Sequence, residues 1–359
     1  MSIFLILGTR PQIIKSAPIV LESSKQGLDI EIVHTGQHYD YKLSQVFLEE
    51  FSLPDPVINL DVGSGSHAFQ TAEIILRLEK VLMANRPSLV IVPGDANSAL
   101  AGGLAPVKLG IPIAHLEAGA RSYEMRMAEE INRRLLDHCS DILFAPTVNC
   151  KDNLEKESVM GRIHVTGDTM FDVFLRFQEE VDGCNVLDQI GLAPNDYTLL
   201  TLHRAENVDD AKRLRGILNA IQDSKLNTIF PIHPRTKNRM EAQKMSLEDT
   251  NIRVIEPLGY VEILSLLKNS VMLLTDSGGL QKEAFWSKTP CITIRERTEW
   301  LETVQIGVNK LTGSDPDRIY QAINEVKERY DEIKNRFEFN PFGDGKSSIK
   351  IIKILKEIQ

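Results

Sequence analysis

The chain is poor in cysteine, in aromatic residues and in positive charge. It has 4 cysteines in 359 residues and no C-x-x-C pair, so it predicts neither a disulfide framework nor a cysteine-rich metal site. This usage is typical of a reducing compartment, and we expect a cytoplasmic protein. A formal net charge of -9 gives no basic face for nucleic acid. No apolar run approaches the ~20 residues of a membrane span, so we expect no membrane partner.

Short apolar runs rich in β-branched residues alternate with segments of helical period, a pattern typical of βαβ units and parallel sheets. The runs of the first half are Ile3–Leu7, Ile30–Val33, Leu89–Val92, Ile111–Leu116, Ile142–Ala145 and Ile163–Val165. After an interruption near Gly167 the runs are Tyr197–Leu202, Thr228–Ile232, Val254–Ile255, Met272–Leu274 and Ile292–Ile294.

This length and repeated pattern suit two domains. We therefore predict an α/β fold of two Rossmann-like, doubly wound domains with an interdomain cleft, spanning residues 1–167 and 168–339. The segment 340–359 contains an amphipathic stretch, Ser347–Ile358. We expect this stretch to form a helix that packs back on the first domain.

Acidic residues follow two apolar runs of the first half. Glu117 ends one predicted strand, Asp95 follows another, and Glu129 and Glu130 open a predicted helix. The carboxyl ends of parallel strands line the ligand crevice in such sheets, and the first turn of a helix favours anions. The alternatives are ordinary turn chemistry for Asp95 and i,i+4 ion pairs for the two helix glutamates. An acid ending an apolar strand needs a partner or a ligand.

Two turns predict anion binding. Gly8-Thr-Arg-Pro11 follows the first strand and opens a helix that bears Lys15, and Thr275-Asp-Ser-Gly-Gly279 precedes a helix that bears Glu283. Glycines allow close approach of a ligand to the backbone, and the free N–H groups of a helix start bind phosphates. The alternatives are a solvated arginine in the first turn and a Ser/Asp helix cap in the second.

Two histidine-arginine pairs also follow predicted strands, His203-Arg204 and His233-Pro-Arg235. Neither histidine has a metal-ligand partner at helical spacing. We predict no metal and no cofactor.

Taken together these stretches resemble the non-hydrolysing UDP-N-acetylglucosamine 2-epimerases. The resemblance rests on Gly8-Thr-Arg-Pro11, Thr35-Gly-Gln-His38, Gly94-Asp95, Glu117-Ala-Gly119 with Arg121, Glu129-Glu-Ile-Asn-Arg133, His203-Arg204, Thr275-Asp-Ser-Gly-Gly279 and Asn340-Pro-Phe-Gly-Asp-Gly345, in that order along nearly the whole chain.

The resemblance implies a glycosyltransferase-B type fold and the interconversion of UDP-GlcNAc and UDP-ManNAc, without NAD or metal. It places Asp95, Glu117, Glu129, His203 and Lys15 on catalytic positions. It places Arg10, Arg133, His233, Arg235, Ser277, Gly278, Gly279 and Glu283 on substrate or UDP positions. It also implies a homodimer. Gln37 and His38 match a stretch that binds an allosteric UDP-GlcNAc in some members, whereas Asp40 departs from it.

The chemistry explains the need for these residues, because the C2 proton of the sugar is not next to a carbonyl. Anti-elimination of UDP as that proton leaves gives a 2-acetamidoglucal, and UDP then adds back. The sequence leaves open which carboxylate takes the proton. Gln12 and Ala128 depart from the common pattern. The stretches His34-Thr-Gly-Gln-His-Tyr-Asp40, Leu202-His-Arg-Ala-Glu-Asn207 and Thr298-Glu-Trp300 resemble a branch that includes epimerases of UDP-2,3-diacetamido-2,3-dideoxyglucuronate. A UDP-sugar-dependent glycosyltransferase is the alternative of another class.

Overall fold

The computed structural model describes residues 2–36 and 48–358. The chain divides into two compact units. The first consists of Met1–Leu175 together with Pro341–Gln359, and the second of Arg176–Asn340.

The first unit contains a seven-stranded sheet in which every pairing is parallel. Its strands are β1 (Ile3–Leu7), β2 (Ile30–His34), β3 (Ile58–Asn59), β4 (Leu89–Pro93), β5 (Ile113–Leu116), β6 (Ile142–Ala145) and β7 (Arg162–Val165). The spatial order is β3-β2-β1-β4-β5-β6-β7, so the chain reverses direction across the sheet between β1 and β4. Ligands bind beside the carboxyl ends of strands at such a switch point.

The second unit repeats this plan with a six-stranded parallel sheet. Its strands are β8 (Thr198–Thr201), β9 (Thr228–Pro231), β10 (Ile252–Ile255), β11 (Leu273–Thr275), β12 (Cys291–Thr293) and β13 (Asn309–Leu311). The order β10-β9-β8-β11-β12-β13 has its switch point between β8 and β11.

Helices connect the strands and cover the sheets. Those of the first half are Arg10–Lys25, His67–Asn85, Asn97–Lys108, Ala128–Cys139, Val148–Lys156 and Thr169–Arg176. Those of the second half are Gln178–Asp182, Val186–Ile190, Ala205–Val208, Ala211–Asp223, Pro234–Ala242, Tyr260–Lys268, Gly278–Trp286, Leu301–Gln305, Pro316–Glu328, Tyr330–Lys334 and Ser347–Ile358.

Burial explains why the strands read as continuous apolar runs. All five residues of β1 and all five of β4 are buried, as expected for parallel strands with helices on both faces. The prediction of two doubly wound α/β domains is confirmed. The short strands β3 and β13 were not predicted, because they contribute few apolar residues and are only partly buried.

The C-terminal helix Ser347–Ile358 belongs to the first unit and packs on helix Arg10–Lys25. The carboxylate of Asp172 accepts hydrogen bonds from the backbone N–H groups of Ser347 (3.0 Å) and Ser348 (2.8 Å) at the start of this helix. Helix starts carry unpaired N–H groups, so this carboxylate anchors the end of the chain. None of the helices in residues 2–36 and 48–358 has the length and apolarity that crossing a membrane requires.

Candidate functional site

A buried glutamine fixes the turn after β1. Gln12 Oε1 accepts hydrogen bonds from the backbone N–H of Gly8 (2.9 Å) and the hydroxyl of Ser98 (2.7 Å), while Gln12 Nε2 donates to the carbonyl of Pro93 (2.9 Å). Gly8 leaves no room for a side chain, since a Cβ would lie 2.2 Å from the hydroxyl oxygen of Thr35. One amide side chain therefore joins the carboxyl ends of β1 and β4.

Two of the predicted cations follow this turn. Arg10 opens helix Arg10–Lys25 and is exposed. Lys15 forms an ion pair with Glu117, with 2.6 Å between Nζ and Oε1 and side chains only 16% and 10% exposed. Glu117 follows β5 with a φ of 65°, a left-handed conformation that residues with a Cβ seldom adopt. Backbone strain of this kind costs on the order of 1–3 kcal/mol and concentrates at functional sites.

Asp95 lies at the carboxyl end of β4 and pairs with Arg133, with 2.5 Å between Oδ2 and Nη2. The preceding residue, Gly94, has a φ of 68°, and a Cβ built there would lie 3.3 Å from Lys15 Nζ. The Asp95–Arg133 and Lys15–Glu117 pairs are therefore neighbours at the carboxyl edge of the first sheet. Four of the residues selected from the sequence meet there.

The two glutamates at the start of helix Ala128–Cys139 differ in their surroundings. The buried carboxylate of Glu130 accepts hydrogen bonds from the N–H and the hydroxyl of Ser122, both at 2.9 Å, and pairs with Arg133 at 3.1 Å. Burial alone raises the pKa of Glu130, but the Ser122 hydrogen bonds and the Arg133 charge outweigh it and hold that pKa below its ordinary value. Glu129 is exposed, and its carboxylate forms no hydrogen bond or ion pair with any residue that the structure describes.

Beneath these turns lies a buried network of charges that the sequence did not reveal. His115 Nδ1 lies 2.6 Å from Asp137 Oδ1, and His115 Nε2 lies 2.9 Å from the carbonyl oxygen of Gly94. Arg121 Nη2 contacts Asp137 at 2.7 Å and Glu157 at 2.7 Å. Burial raises the pKa of Asp137, but the His115 and Arg121 partners outweigh it, so the net pKa lies below the ordinary value.

In the second unit a buried aspartate organises the loop after β8. Asp276 accepts hydrogen bonds from the backbone N–H groups of His203 (3.2 Å) and Arg204 (3.0 Å) and from Asn207 Nδ2 (3.1 Å). His203 Nδ1 lies 3.0 Å from Asp276 Oδ1. Burial opposes ionisation, yet the contacts with His203 and Arg204 hold the pKa of Asp276 below its ordinary value. The loop that bears His203 and Arg204, both selected from the sequence, is thus fixed by the ionised carboxylate of Asp276.

The turn Ser277-Gly278-Gly279 opens helix Gly278–Trp286. Ser277 is the N-cap, and its Oγ accepts a hydrogen bond from the N–H of Leu280 at 3.4 Å. A Cβ at Gly279 would meet nothing within 4 Å, so the backbone is open to a ligand there. Glu283 lies on the same helix and is buried. The cap alternative is correct for Ser277, and it leaves the other N–H groups of the first turn able to bind an anion.

His233 and Arg235 lie at the carboxyl end of β9. His233 caps helix Pro234–Ala242, and its ring centroid lies 5.6 Å from that of His203. Burial, with the neighbouring His203 and Arg235 charges, lowers the pKa of His233, which favours the neutral ring. Arg235 extends toward solvent, where it pairs with Asp209 at 2.6 Å. The two histidines therefore meet, and Arg235 is engaged elsewhere.

Further charges near the Ser277–Gly279 turn were missed from the sequence. Arg295 and Glu299 form a buried, bidentate pair at 2.9 and 3.0 Å, and a Cβ at Gly278 would lie 3.9 Å from Arg295 Nη1. Lys282 is buried with its ammonium 4.0 Å from the centroid of the Trp300 ring, a cation–π contact. Lys282 and Trp300 are 18 residues apart, so no local pattern in the sequence signals this contact.

Gln37 and His38, the residues selected for allosteric binding, lie outside the described residues. Across residues 2–36 and 48–358, no group of three or more His, Cys, Asp or Glu side chains is arranged to hold a metal ion.

Two parallel, doubly wound units with ion pairs and histidines at the carboxyl edges of their sheets define an α/β enzyme with two Rossmann-like domains. Comparison with known proteins makes this more specific. A sequence model of the UDP-N-acetylglucosamine 2-epimerase family matches residues 21–356. The chain therefore belongs to the UDP-N-acetylglucosamine 2-epimerase family.

Individual relatives agree with this family. A UDP-N-acetylglucosamine 2-epimerase of Methanocaldococcus jannaschii is 43% identical over 366 residues, covering 99% of each chain. The UDP-2,3-diacetamido-2,3-dideoxy-D-glucuronate 2-epimerase of Pseudomonas aeruginosa is 41% identical over 368 residues, covering 100% of each chain. A crystal structure of the M. jannaschii enzyme in complex with UDP-GlcNAc and UDP matches with a TM-score of 0.90 at 43% identity, covering 99% of this chain and 100% of that one.

Proposed function

We propose that this protein is an isomerase that interconverts UDP-N-acetylglucosamine and UDP-N-acetylmannosamine by anti-elimination and re-addition of UDP. The observation that carries the proposal is the match to the M. jannaschii epimerase over 99% of the chain, combined with the acidic cluster at the carboxyl edge of the first sheet. We propose no cofactor. When the C2 proton leaves together with UDP, no carbanion forms that a cofactor would have to stabilise.

The reaction needs two proton-transfer groups on opposite faces of the sugar. A base takes the C2 proton while the C1–O bond breaks and its electron pair leaves with UDP, which gives 2-acetamidoglucal. The reverse steps form the C1–O bond again and deliver a proton to the other face of C2. We propose Asp95, Glu117 and Glu129 as the carboxylates that serve the sugar, with Lys15 beside them. General acid–base catalysis by each group contributes on the order of 10²–10⁴-fold.

Stabilising the negative charge on the departing diphosphate is the other requirement. We propose that UDP binds at the carboxyl edge of the second sheet, where the N-terminus of helix Gly278–Trp286 favours an anion. His203 is proposed as a catalytic residue that balances this charge. The proposed binding residues are Arg10, Arg133, His233, Arg235, Ser277, Gly278, Gly279 and Glu283.

Two of the proposed binding arginines already form ion pairs with carboxylates of the chain. Arg235 contacts Asp209 at 2.6 Å and Arg133 contacts Asp95 at 2.5 Å. A diphosphate must compete with these carboxylates for Arg235 and Arg133. We therefore expect Arg235→Ala to weaken UDP binding less than Ser277→Ala does, as measured by calorimetric titration.

A second substrate is favoured by the 41% identity to the P. aeruginosa enzyme, which is named for UDP-2,3-diacetamido-2,3-dideoxy-D-glucuronate. The purified protein should be incubated with each nucleotide sugar in D₂O, without an acceptor, and the product analysed by proton NMR. Epimerisation of UDP-GlcNAc with deuterium at C2 supports the proposal. Turnover of the diacetamido sugar alone assigns the second substrate, and no C2 exchange with either sugar contradicts both.

We further propose that the enzyme is a homodimer. Helix Asn97–Lys108 packs against both His67–Asn85 and Ala128–Cys139, and the outer two helices expose large apolar side chains, namely Leu76, Met83, Ile131 and Leu135. Exposed apolar groups on adjacent helices are typical of interaction surfaces. Sedimentation velocity should give a dimer for the wild type and a monomer for Leu135→Glu. A monomeric wild type contradicts the proposal.

A further inference from the structure

The protonation of His115 is determined by what surrounds it. His115 lies on β5 with no solvent exposure, and its two ring nitrogens face Asp137 Oδ1 at 2.6 Å and the carbonyl oxygen of Gly94 at 2.9 Å. Both partners are hydrogen-bond acceptors. A neutral imidazole has only one N–H donor, so it would leave one of these acceptors facing a lone pair. The arrangement requires a proton for each contact.

The alternative site for the second proton is the carboxyl group of Asp137. That group, however, also contacts Arg121 Nη2 at 2.7 Å and accepts the backbone N–H of Gly119 at 3.2 Å. Both contacts stabilise the carboxylate, and the pKa of Asp137 lies below its ordinary value. The proton therefore resides on the ring. Arg121 in turn pairs with Glu157, which also lies 3.4 Å from Arg134 Nη2 and 3.9 Å from His138 Nε2.

The same contacts hold the two turns that bear the proposed catalytic carboxylates. The peptide before Asp95 is held on both sides by β5, because Gly94 N–H donates to Leu116 O (3.0 Å) and Gly94 C=O accepts from His115. The turn after Glu117 is held by the Gly119 N–H donated to Asp137. One buried ion pair thus contacts the backbone beside both carboxylates.

We infer that His115 is a positioning residue that donates both of its ring N–H groups, and that with Asp137 it sets the backbone geometry of Asp95 and Glu117 at the reacting sugar. The kinetic part of this inference rests on the proposed epimerase function. A displacement of about 1 Å in a catalytic group can lower the rate by about 10²-fold. The hydrogen bond to Gly94 is therefore expected to affect kcat, whereas UDP binding in the second unit is unaffected.

The chain allows a matched pair of variants. The amide of His115→Asn can replace Nδ1 and keep the contact with Asp137, but it is too short to reach Gly94. The amide of His115→Gln can replace Nε2 and donate to Gly94. We expect kcat to fall about 10²-fold in His115→Asn, with the Kd for UDP unchanged, and to recover substantially in His115→Gln. His164→Asn, which alters a half-buried histidine on the edge strand β7, should leave kcat unchanged.

Equal kcat values in folded His115→Asn and His115→Gln, or wild-type kcat in His115→Asn, would overturn the inference. The two ring protons are tested separately by ¹⁵N NMR of the histidine rings in the full-length wild-type protein. The His115 ring signals are those of the wild-type spectrum that are missing from the spectrum of His115→Asn. If His115→Asn does not fold, the spectrum of His115→Gln serves the same purpose. Two protonated ring nitrogens support the two donated hydrogen bonds, and one unprotonated nitrogen refutes them. This measurement stands even if neither nucleotide sugar is epimerised, which would refute only the proposed function.

Discussion

Replacing Asp276 by alanine removes the acceptor that fixes the loop after β8. The carboxylate has no solvent exposure and lies within 3.2 Å of the N–H groups of His203 and Arg204. A hydrogen bond to a charged group contributes roughly 1.5–3 kcal/mol, but such contributions within one network are not additive. Since breaking a buried ion pair costs about 3–5 kcal/mol, we expect Asp276→Ala to lower the free energy of unfolding by about 4 kcal/mol. Asp276→Asn keeps one oxygen acceptor and should lose about 2 kcal/mol.

Tryptophan fluorescence isolates this effect. The 2 tryptophans of the chain, Trp286 and Trp300, both lie in the unit Arg176–Asn340, so their emission during urea unfolding reports on that unit. Stability losses are read from the shift in the urea midpoint at unchanged slope. Asp223→Asn, an exposed change in the same unit, should stay within about 0.5 kcal/mol of the wild type. A loss below about 1 kcal/mol for Asp276→Ala would refute the role assigned to this carboxylate.

The stability that Asp276 contributes should depend on pH in a direction set by its lowered pKa. The pKa of Asp276 in the folded protein lies below the ordinary value of 3.8, so the folded state stabilises the ionised carboxylate. Its contribution is fully present above the unfolded pKa and is lost as the pH falls through the folded pKa. The difference in stability between wild type and Asp276→Asn should therefore be constant near neutral pH and shrink in acid. A difference that grew on acidification would contradict this.

Three further predictions follow from the site. Glu129→Gln should lower kcat by about 10²–10⁴-fold at unchanged stability. Glu130→Gln should lower the melting temperature, because of the two glutamates only Glu130 is buried and hydrogen-bonded through its side chain. Equal stability of the two variants would contradict this. Ser277→Ala should weaken UDP binding roughly 10- to 150-fold in calorimetric titration, since a hydrogen bond to a charged group contributes about 1.5–3 kcal/mol. An unchanged Kd would remove Ser277 from the site. Gln12→Leu should cost roughly 1–3 kcal/mol for each buried group left unpaired, measured by circular dichroism, and a stable variant would count against that network.

The fold was largely predictable because its strands are buried on both faces. Continuous apolar runs such as Ile3–Leu7 signal a strand regardless of distant contacts, and the pattern of such runs signals parallel sheets. The two-residue strand Ile58–Asn59 carries too little sequence to produce a pattern. Pairing with β2, a contact made only in the folded chain, defines it.

The candidate site was predictable to the extent that its residues follow strands directly. Glu117 and Asp95 were selected because the carboxyl ends of parallel strands line the ligand crevice, and both have cationic partners in the structure. Asp137 was not selected, because it lies in the last turn of helix Ala128–Cys139, where an aspartate is ordinarily solvated. Its contact with His115 joins residues 22 positions apart, and no local pattern encodes that pairing.

The carboxyl edges of both sheets contain a buried carboxylate that binds backbone N–H groups of the turns, Asp137 in the first unit and Asp276 in the second. Their partners hold both pKa values below the ordinary one, and the same is true of Glu130. A carboxyl group with a lowered pKa stays ionised at neutral pH and is therefore a poor proton donor. Because the second half of the proposed reaction must protonate C2, these buried acids are unsuited to that step and serve instead to fix the turns. Proton delivery is thereby left to the groups that remain open to the sugar, and the exposed Glu129 is the first of these to test.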